Sequence, residues 1–128
     1  MLPDLRKLHV RRPQWRIDKE ACDRMFSKIV RSRDPICRRC KTRPSTECAH
    51  IISRRYGRVR CELDNAWGLC AGCHRHVDQE ARLKLGLTYE TIGRYRYDEL
   101  WEQANDGQKV DWAALRVELK ARLVEVTA

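Results

Sequence analysis

The sequence has no long hydrophobic run. No apolar stretch approaches the roughly 18 residues that cross a membrane as a helix, and charged residues make up 35% of the 128-residue chain. The first 15 residues carry charges where a secretory signal needs an apolar segment. We therefore expect a soluble, cytoplasmic protein with no membrane partner.

The sequence also contains no internal repeat, no low-complexity tract and no glycine- or serine-rich linker. A chain of 128 residues fits one domain with a modest core, and a bound metal ion can add stability at this size. We predict a single α+β domain over residues 1–128. It is expected to comprise a basic N-terminal helical segment (1–35), a core rich in cysteine and histidine (36–86) and C-terminal helices (87–128).

Seven cysteines are present, an odd number that argues against a disulfide framework in a protein with no sign of secretion. Four of them form two C-x-x-C pairs, Cys37 with Cys40 and Cys70 with Cys73, with 29 residues between the pairs. Each pair can present two thiolates to one tetrahedral ion at about 2.3 Å. The spacing predicts a structural four-cysteine zinc site, and Cys22 and Cys61 are interpreted as buried apolar side chains.

The charge is distributed unevenly along the chain. Residues 1–60 hold 18 Lys/Arg and 6 Asp/Glu, whereas residues 61–128 hold 9 and 12, so the two parts carry +12 and −3. A one-sided basic surface attracts polyanions and speeds encounter with them. The distribution predicts a nucleic-acid partner.

Periodicity and turn signals predict four helices and one hairpin. Residues 18–33 follow a helical apolar pattern capped by Asp18, and further helices are expected from near Cys73 to before Gly86, over 88–104 and from a cap at Asp111. Residues 49–53 and 58–63 are predicted to be strands around a turn at 54–57. The last helix carries an apolar stripe that is typical of core packing: Trp112, Leu115, Leu119, Leu123 and Val126.

The residues between the two C-x-x-C pairs contain His50 and then Asn65, and His74 follows Cys73 directly. This H-x14-N-x8-H pattern resembles the HNH endonucleases, and the segment from Cys22 to Asp78 is similar to the NinG/Rap-like group of phage HNH recombination proteins. The resemblance implies a small ββα-metal core with a zinc knuckle pair, flanked by N- and C-terminal helices. It also implies a phage- or prophage-encoded nuclease acting on double-stranded or branched DNA.

The resemblance implies a role for each site residue. His50 would be the general base, since a neutral imidazole can take a proton from water at cellular pH. Asn65 would fix the hairpin and orient that imidazole. His74 would bind a divalent ion such as Mg²⁺ or Mn²⁺ together with Asp78, which lies four residues on and on the same helix face.

One position departs from the family pattern. Many members have Asp or His immediately before the base as a further metal ligand, but Ala49 stands here and cannot ligate. Cys48, which shares a strand face with His50, and the nearby Glu47 are both candidates to replace it.

Four arginines follow the predicted base: Arg54, Arg55, Arg58 and Arg60. They are predicted to grip DNA phosphates, one of them stabilising transition-state charge, because the planar guanidinium donates in a fork that matches a phosphate. The alternative is a solvated charged turn.

Two functions from different classes remain open. The chain is predicted to be a metal-dependent DNA endonuclease; the alternative is a zinc-stabilised nucleic-acid-binding module whose catalytic site has lapsed. The substrate form, the preferred metal and the oligomeric state, with a dimer among the possibilities, are left open by the sequence.

Overall fold

The computed structural model describes residue 2 and residues 11–127. Within these residues the chain is α+β, as predicted, with five α-helices and a two-stranded antiparallel sheet. In chain order the elements are α1 (Gln14–Arg33), β1 (Glu47–His50), β2 (Ala66–Leu69), α2 (Ala71–Gln79), α3 (Ala81–Thr91), α4 (Gly93–Ala104) and α5 (Trp112–Thr127). In the described part of the chain, no helix combines the length and apolar character needed to cross a membrane.

Helix α1 begins four residues earlier than predicted. Pro13 precedes Gln14 at the start of the helix, where the fixed φ of proline is tolerated. Asp18 is not a cap but a buried residue that accepts hydrogen bonds from Gln14 and from Arg116 of α5. The helix ends at Arg33, as expected. Residues 1 and 3–10 of the predicted N-terminal segment lie outside the described residues.

The prediction of the strands was partly wrong. Strand β1 overlaps the first predicted strand only at Ala49 and His50, and residues 58–63 form no strand. Two short 3-10 turns, Gly57–Val59 and Leu63–Asn65, occupy that region. The partner of β1 is β2, with Ala49 opposite Trp67 and His50 opposite Ala66. All four residues of β2 are buried, so this strand lacks the polar–apolar alternation that sequence patterns rely on.

The helices that follow the sheet are shorter and more numerous than predicted. Helix α2 begins at Ala71 and ends at Gln79, and α3 then begins at Ala81. The helix predicted over 88–104 is broken at Gly93, whose φ of 81° lies in the left-handed region. Three short helices therefore replace the two that were expected.

Helix α5 is capped as predicted, because Asp111 Oδ1 accepts a hydrogen bond of 3.0 Å from the Ala114 amide. Its apolar stripe packs on α1, although Val126 remains 47% exposed. Leu119 is the most deeply buried residue of the stripe. The stripe belongs to the core, as its spacing indicated.

Two apolar clusters lie on opposite sides of the sheet. The first joins the sheet to α2, α3 and α4 and contains Trp67 and three of the zinc-type cysteines. The second fills the space between α1, α5 and the sheet, with Phe26 and Cys22 fully buried. The two faces of β1 therefore pack against different helices, so that neighbouring residues of the strand lie in different surroundings.

The end of α1 is joined to β2 by Asp34. Its Oδ2 accepts a hydrogen bond of 2.9 Å from the Gly68 amide and another of 2.7 Å from Arg33. Burial alone would raise the pKa of this carboxyl, but the hydrogen bonds and the charges of Arg33 and Arg38 lower it below its ordinary value. This contact positions β2 against the helix.

We predict that Gly68→Ala destabilises the protein. A Cβ at position 68 would lie 2.8 Å from Asp34 Cβ and 2.9 Å from Asp34 O, and it would clash with Ser45 Oγ. Overpacking of this kind costs about 1–3 kcal/mol, which urea unfolding measures. The matched control is Gly86→Ala in α3, where nothing lies within 4 Å of the added atom. That change should raise stability by about 0.5–1 kcal/mol, and equal effects of the two changes would contradict the close approach at Gly68.

Candidate functional site

The two C-x-x-C pairs meet at one point. The sulphur atoms of Cys37, Cys40, Cys70 and Cys73 all lie within 4.8 Å of one another. Three of these residues are buried and Cys40 is half-buried. Four thiolates at this separation can hold a tetrahedral metal ion such as zinc, as the spacing predicted.

Each pair is shaped by its local backbone. The Lys41 amide donates to the Cys37 carbonyl at 2.9 Å, and Lys41 itself adopts a left-handed φ of 59°, which closes the first knuckle. The Arg38 amide donates to the Gly68 carbonyl at 3.0 Å and joins the knuckle to the sheet. Cys70 is the residue that caps α2, so the second pair forms the first turn of that helix.

Hydrogen bonds to sulphur favour the thiolate at two of these cysteines. The Thr42 hydroxyl donates to Cys40 Sγ at 3.4 Å, and this bond, with neighbouring amides, lowers the pKa of Cys40 to about 5. The Cys73 amide donates to Cys70 Sγ at 3.5 Å and lowers the pKa of Cys70. Burial acts in the opposite direction on Cys73 and raises its pKa to about 11. The thiolate is the form that binds metal.

A cleft of about 770 Å³ lies between α1, β1, α2 and the loop after β1. It brings together His50, His74 and Asp78, which the sequence placed in one site, and adds residues of α1 and α3. Its lining comprises Asp23, Phe26, Ser27, Arg31, Thr46, Glu47, Cys48, His50, Ser53, Arg54, His74, Asp78 and Lys84.

His50 lies at the end of β1, on the face that packs against α1. Its ring is tilted by 30° against that of Phe26, with 5.6 Å between the centroids. Its Nε2 lies 2.8 Å from the Arg60 carbonyl. Because a carbonyl oxygen only accepts, Nε2 carries the proton and the neutral ring keeps its lone pair on Nδ1. Burial lowers the pKa of His50 below its ordinary value, so the ring is neutral near pH 7.

Asn65 is fully buried and uses its whole amide group to hold the loop that follows β1. Its Oδ1 accepts from the Ile52 amide at 2.7 Å, and its Nδ2 donates to the carbonyls of Ile52 (3.0 Å) and Val59 (2.9 Å). The next residue after Val59 is Arg60, whose carbonyl holds His50. The Asn65 side chain therefore holds the backbone of the loop that carries the Arg60 carbonyl, and its hydrogen bonds do not include the His50 ring.

His74 lies between two carboxylates. Glu47 Oε1 is 2.7 Å from Nδ1, and Asp78 Oδ2 is 3.3 Å from Nε2. In the neutral ring with its proton on Nδ1, that nitrogen donates to Glu47 and the lone pair of Nε2 points towards Asp78. A nitrogen beside a carboxylate oxygen is a donor set that divalent ions accept, and a second carboxylate behind the ring is the usual outer partner of a metal-binding histidine.

Glu47 and Cys48, the two candidates to replace the metal ligand missing at Ala49, lie on different sides of β1. Ala49 is buried in the cluster that faces α2, and Glu47, two residues earlier in the strand, reaches His74. Cys48 packs with the cluster on the α1 side, and burial raises its pKa to about 11. Glu47 is therefore the candidate in contact with the histidine.

The four arginines divide into two pairs. Arg58 donates to both oxygens of Asp106 at 2.9–3.0 Å, and Arg60 donates to both oxygens of Asp23 at 2.7 and 2.6 Å. These hydrogen bonds raise the pKa of both guanidinium groups. Arg54 and Arg55 are exposed, and no ion pair within residues 11–127 engages them. Arg54 lines the cleft.

Sequence reasoning missed the contribution of α1 and α3 to the cleft. Asp23, Phe26 and Arg31 come from α1, and Lys84 of α3 lies 3.9 Å from Asp78. In the sequence these residues belong to ordinary amphipathic helices, and no local spacing relates them to His50. The one sequence feature that indicated a role for α1 was the set of basic residues, Arg31 among them, that lie between its apolar positions.

We predict that Cys73→Ser lowers the zinc content of the purified protein from one equivalent to none and unfolds the sheet region. The free energy of zinc binding at such sites, about 10–16 kcal/mol in small domains, also stabilises the fold. Metal analysis and circular dichroism measure the two effects. Cys61→Ala, which lies outside the four-cysteine cluster, should keep its zinc. A wild-type protein without zinc, or a Cys73→Ser protein that is folded like the wild type, would contradict the assignment.

No protein-family model, curated protein or solved structure matches this chain at a significant level.

Proposed function

We propose that this protein is a metal-dependent DNA endonuclease that hydrolyses phosphodiester bonds with HNH-type chemistry. The observation that carries the proposal is the shared cleft, in which His50, the His74 and Asp78 pair, and Arg54 line one space of about 770 Å³. Phosphodiester hydrolysis needs a base for the attacking water, an electrophile on the phosphate and positive charge around it. The cleft supplies a residue of the right type for each requirement.

His50 acts as the general base in this proposal. Its Nε2–H is held by the Arg60 carbonyl, and Asn65 fixes the loop that leads to that carbonyl. The bidentate contact between Arg60 and Asp23 ties the same backbone segment to α1. The ring is thus oriented by a rigid set of contacts, and Nδ1 takes the proton from water.

His74 and Asp78 are the residues that would hold a divalent ion, with Glu47 fixing the histidine from behind. When bound there, Mg²⁺ or Mn²⁺ would act as a Lewis acid on the phosphate and the leaving oxygen. Asp78 also faces Lys84, which balances part of its charge. The His74 ring has one carboxylate at each nitrogen, Glu47 at Nδ1 and Asp78 at Nε2. This arrangement supports Asp78 as the metal ligand and Glu47 as the residue that orients the ring.

The phosphates of the substrate are contacted by basic residues around the cleft. Arg54, Arg31 and Lys84 line it, and none of the three is buried. Of the four arginines predicted from the sequence, Arg54 and Arg55 remain the candidates for direct contact. Arg58 and Arg60 instead shape the loop through their carboxylate partners.

The second candidate is a zinc-stabilised nucleic-acid-binding module with a lapsed catalytic site. The burial of Ala49 in the core favours it, because this position offers no ligand to a metal ion. The same module would keep the four-cysteine cluster and the basic cleft. A cleavage assay separates the two functions.

We predict that the wild-type protein cuts DNA in Mg²⁺ or Mn²⁺ and that His50→Ala lowers the rate by about 10² to 10⁴ fold, the usual contribution of a positioned base. Supercoiled, linear, single-stranded and four-way-junction DNA are the substrates, and omission of the metal is the blank. Zinc content and DNA affinity should stay unchanged, because the imidazole contacts neither the cysteines nor, in this proposal, the ground-state phosphate.

His76→Ala is the matched control, since His76 lies on the same helix as His74 but outside the cleft, beside Glu80. It should cut at the wild-type rate. Cleavage by His50→Ala as fast as by the wild type would contradict the mechanism. A wild-type protein that binds DNA but cuts none of the four substrates with either metal would favour the binding module.

The cleavage rate should rise with pH through the pKa of His50 and then level off. Only the neutral ring of His50 accepts a proton, so the rate follows the neutral fraction. Because burial lowers the pKa of His50 from its ordinary 6.5, the midpoint of the rise should lie below 6.5. Single-turnover rates at saturating Mn²⁺ between pH 5 and 8 test this, and a midpoint above 7 would contradict the assignment.

A further inference from the structure

A second groove lies on the other side of the Arg54 and Arg55 pair. Its volume is about 720 Å³, within the range of about 300–1,000 Å³ that ligand clefts occupy. Arg54 lines the cleft that contains His50, whereas Arg55 lines this groove. The two spaces are therefore adjacent across one dipeptide of the loop after β1.

Three aromatic rings from three parts of the chain line the groove: Trp15 of α1, Tyr56 of the loop and Trp112 of α5. Trp15 is 50% exposed, an unusual exposure for so large an apolar side chain. Tyr56 is held edge-on against Trp101, with 5.1 Å between the ring centroids. Gly57 lies directly beside the Trp112 ring, because a Cβ at this position would be 3.5 Å from it. Glycine has no side chain, so this edge of the ring stays uncovered. The groove thus presents ring surface that its own fold leaves partly open.

The charge of the groove is positive. Arg55, Arg58 and Lys109 line it, and none of the residues that line it is acidic. Arg58 is neutralised by Asp106, so the available charge comes from Arg55 and Lys109. The Arg55 guanidinium lies 5.2 Å from the centre of the Tyr56 ring, which places a cation beside an aromatic face.

We infer that this groove binds unpaired nucleotides of a single-stranded DNA segment, with a base stacked on Trp15 and the phosphates contacted by Arg55 and Lys109. Aromatic faces combined with basic side chains are how proteins bind single strands without reading their sequence, because every base offers a π-face. In an intact duplex the bases already stack on one another and offer only their edges to a protein. The ring surface of the groove therefore favours an unpaired strand over a duplex.

The identification of DNA as the ligand of the groove rests on the proposed function. In that function a strand crosses the cleft, and the groove lies next along its path. A strand passing Arg54 reaches Arg55 and Tyr56 directly. The groove would then hold the unpaired nucleotides that flank the bond under attack. This gives the enzyme a preference for substrates with a single-stranded segment beside the cleavage point.

The test is a binding measurement on the zinc-loaded full chain without added Mg²⁺ or Mn²⁺, so that cleavage does not interfere. Fluorescence anisotropy reports the affinity for a labelled 12-nucleotide oligothymidine and for a 12-base-pair duplex. Trp15→Ala should weaken binding of the single strand by about 5- to 150-fold, the range seen when a stacking side chain is lost. The affinity of the Trp15→Ala protein for the duplex should differ from that of the wild type by less than about two-fold, since a duplex offers no unpaired base.

Tyr95→Ala is the matched control, because Tyr95 is 81% exposed on α4 and lies outside the groove. It should leave both affinities unchanged, while Trp15→Phe, which keeps a ring, should retain most of the single-strand affinity. Lys109→Ala should flatten the salt dependence for the single strand by about 0.7 in the log–log slope, whereas Lys120→Ala should not. Thermal unfolding confirms that each variant is folded.

An oligonucleotide with abasic residues in place of thymidine gives a readout that needs no substitution. The wild type should bind it as weakly as Trp15→Ala binds oligothymidine. Equal binding of the abasic and normal strands by the wild type, or equal losses for Trp15→Ala on single strand and duplex, would overturn the inference. Cleavage is assayed separately: a wild type that prefers the single strand but cuts nothing overturns only the endonuclease, and a cutting enzyme whose affinity ignores Trp15 overturns only the groove.

Discussion

The association of four cysteine side chains is the constraint on which the candidate site depends. The first knuckle follows α1 and places Cys37 in the core, and the second is the first turn of α2. Their sulphur atoms lie within 4.8 Å of one another and join these two regions of the chain. Because His74 follows Cys73 directly, the same cluster fixes the histidine that the proposed catalytic ion needs. A metal ion bound by the four cysteines would therefore stabilise both the fold and the geometry of the site in a chain with a small core.

A second layer of support is polar and lies behind His50. Asn65, fully buried, makes three hydrogen bonds to the loop, and Arg60 is held by Asp23 of α1. Moving the buried Asn65 amide out of place would leave polar groups without hydrogen-bond partners, and each such group would destabilise the fold by its desolvation free energy. These contacts stabilise the conformation of the loop after β1 in which the Arg60 carbonyl faces the imidazole. The same loop lies between the cleft and the aromatic groove, because Arg54 lines the first and Arg55 the second.

Local chemistry explains which parts of the fold could be predicted. The cysteine pairs, the end of α1 before Pro35 and the Asp111 cap are decided within a few residues, and each was predicted correctly. Strand β2 was missed because its four residues are buried on both faces and show no alternation. Residues 58–63 alternate charged and apolar side chains in a strand-like pattern, yet Asn65 and the arginine contacts fold them into turns. Propensity is a weak signal where side-chain hydrogen bonds to the backbone compete with it.

The sequence by itself determined the type of chemistry: thiolates for a metal ion, an imidazole pair at a suggestive spacing and a basic N-terminal part. Only the tertiary structure decided which of those residues act together. It directed Ala49 and Glu47 to the α2 side of β1 and Cys48 and His50 to the α1 side, and it brought Asp23 and Phe26 into the cleft. It also gave Arg58 and Arg60 carboxylate partners 48 and 37 residues away. Such pairings depend on how distant helices pack, and no spacing along the chain encodes them.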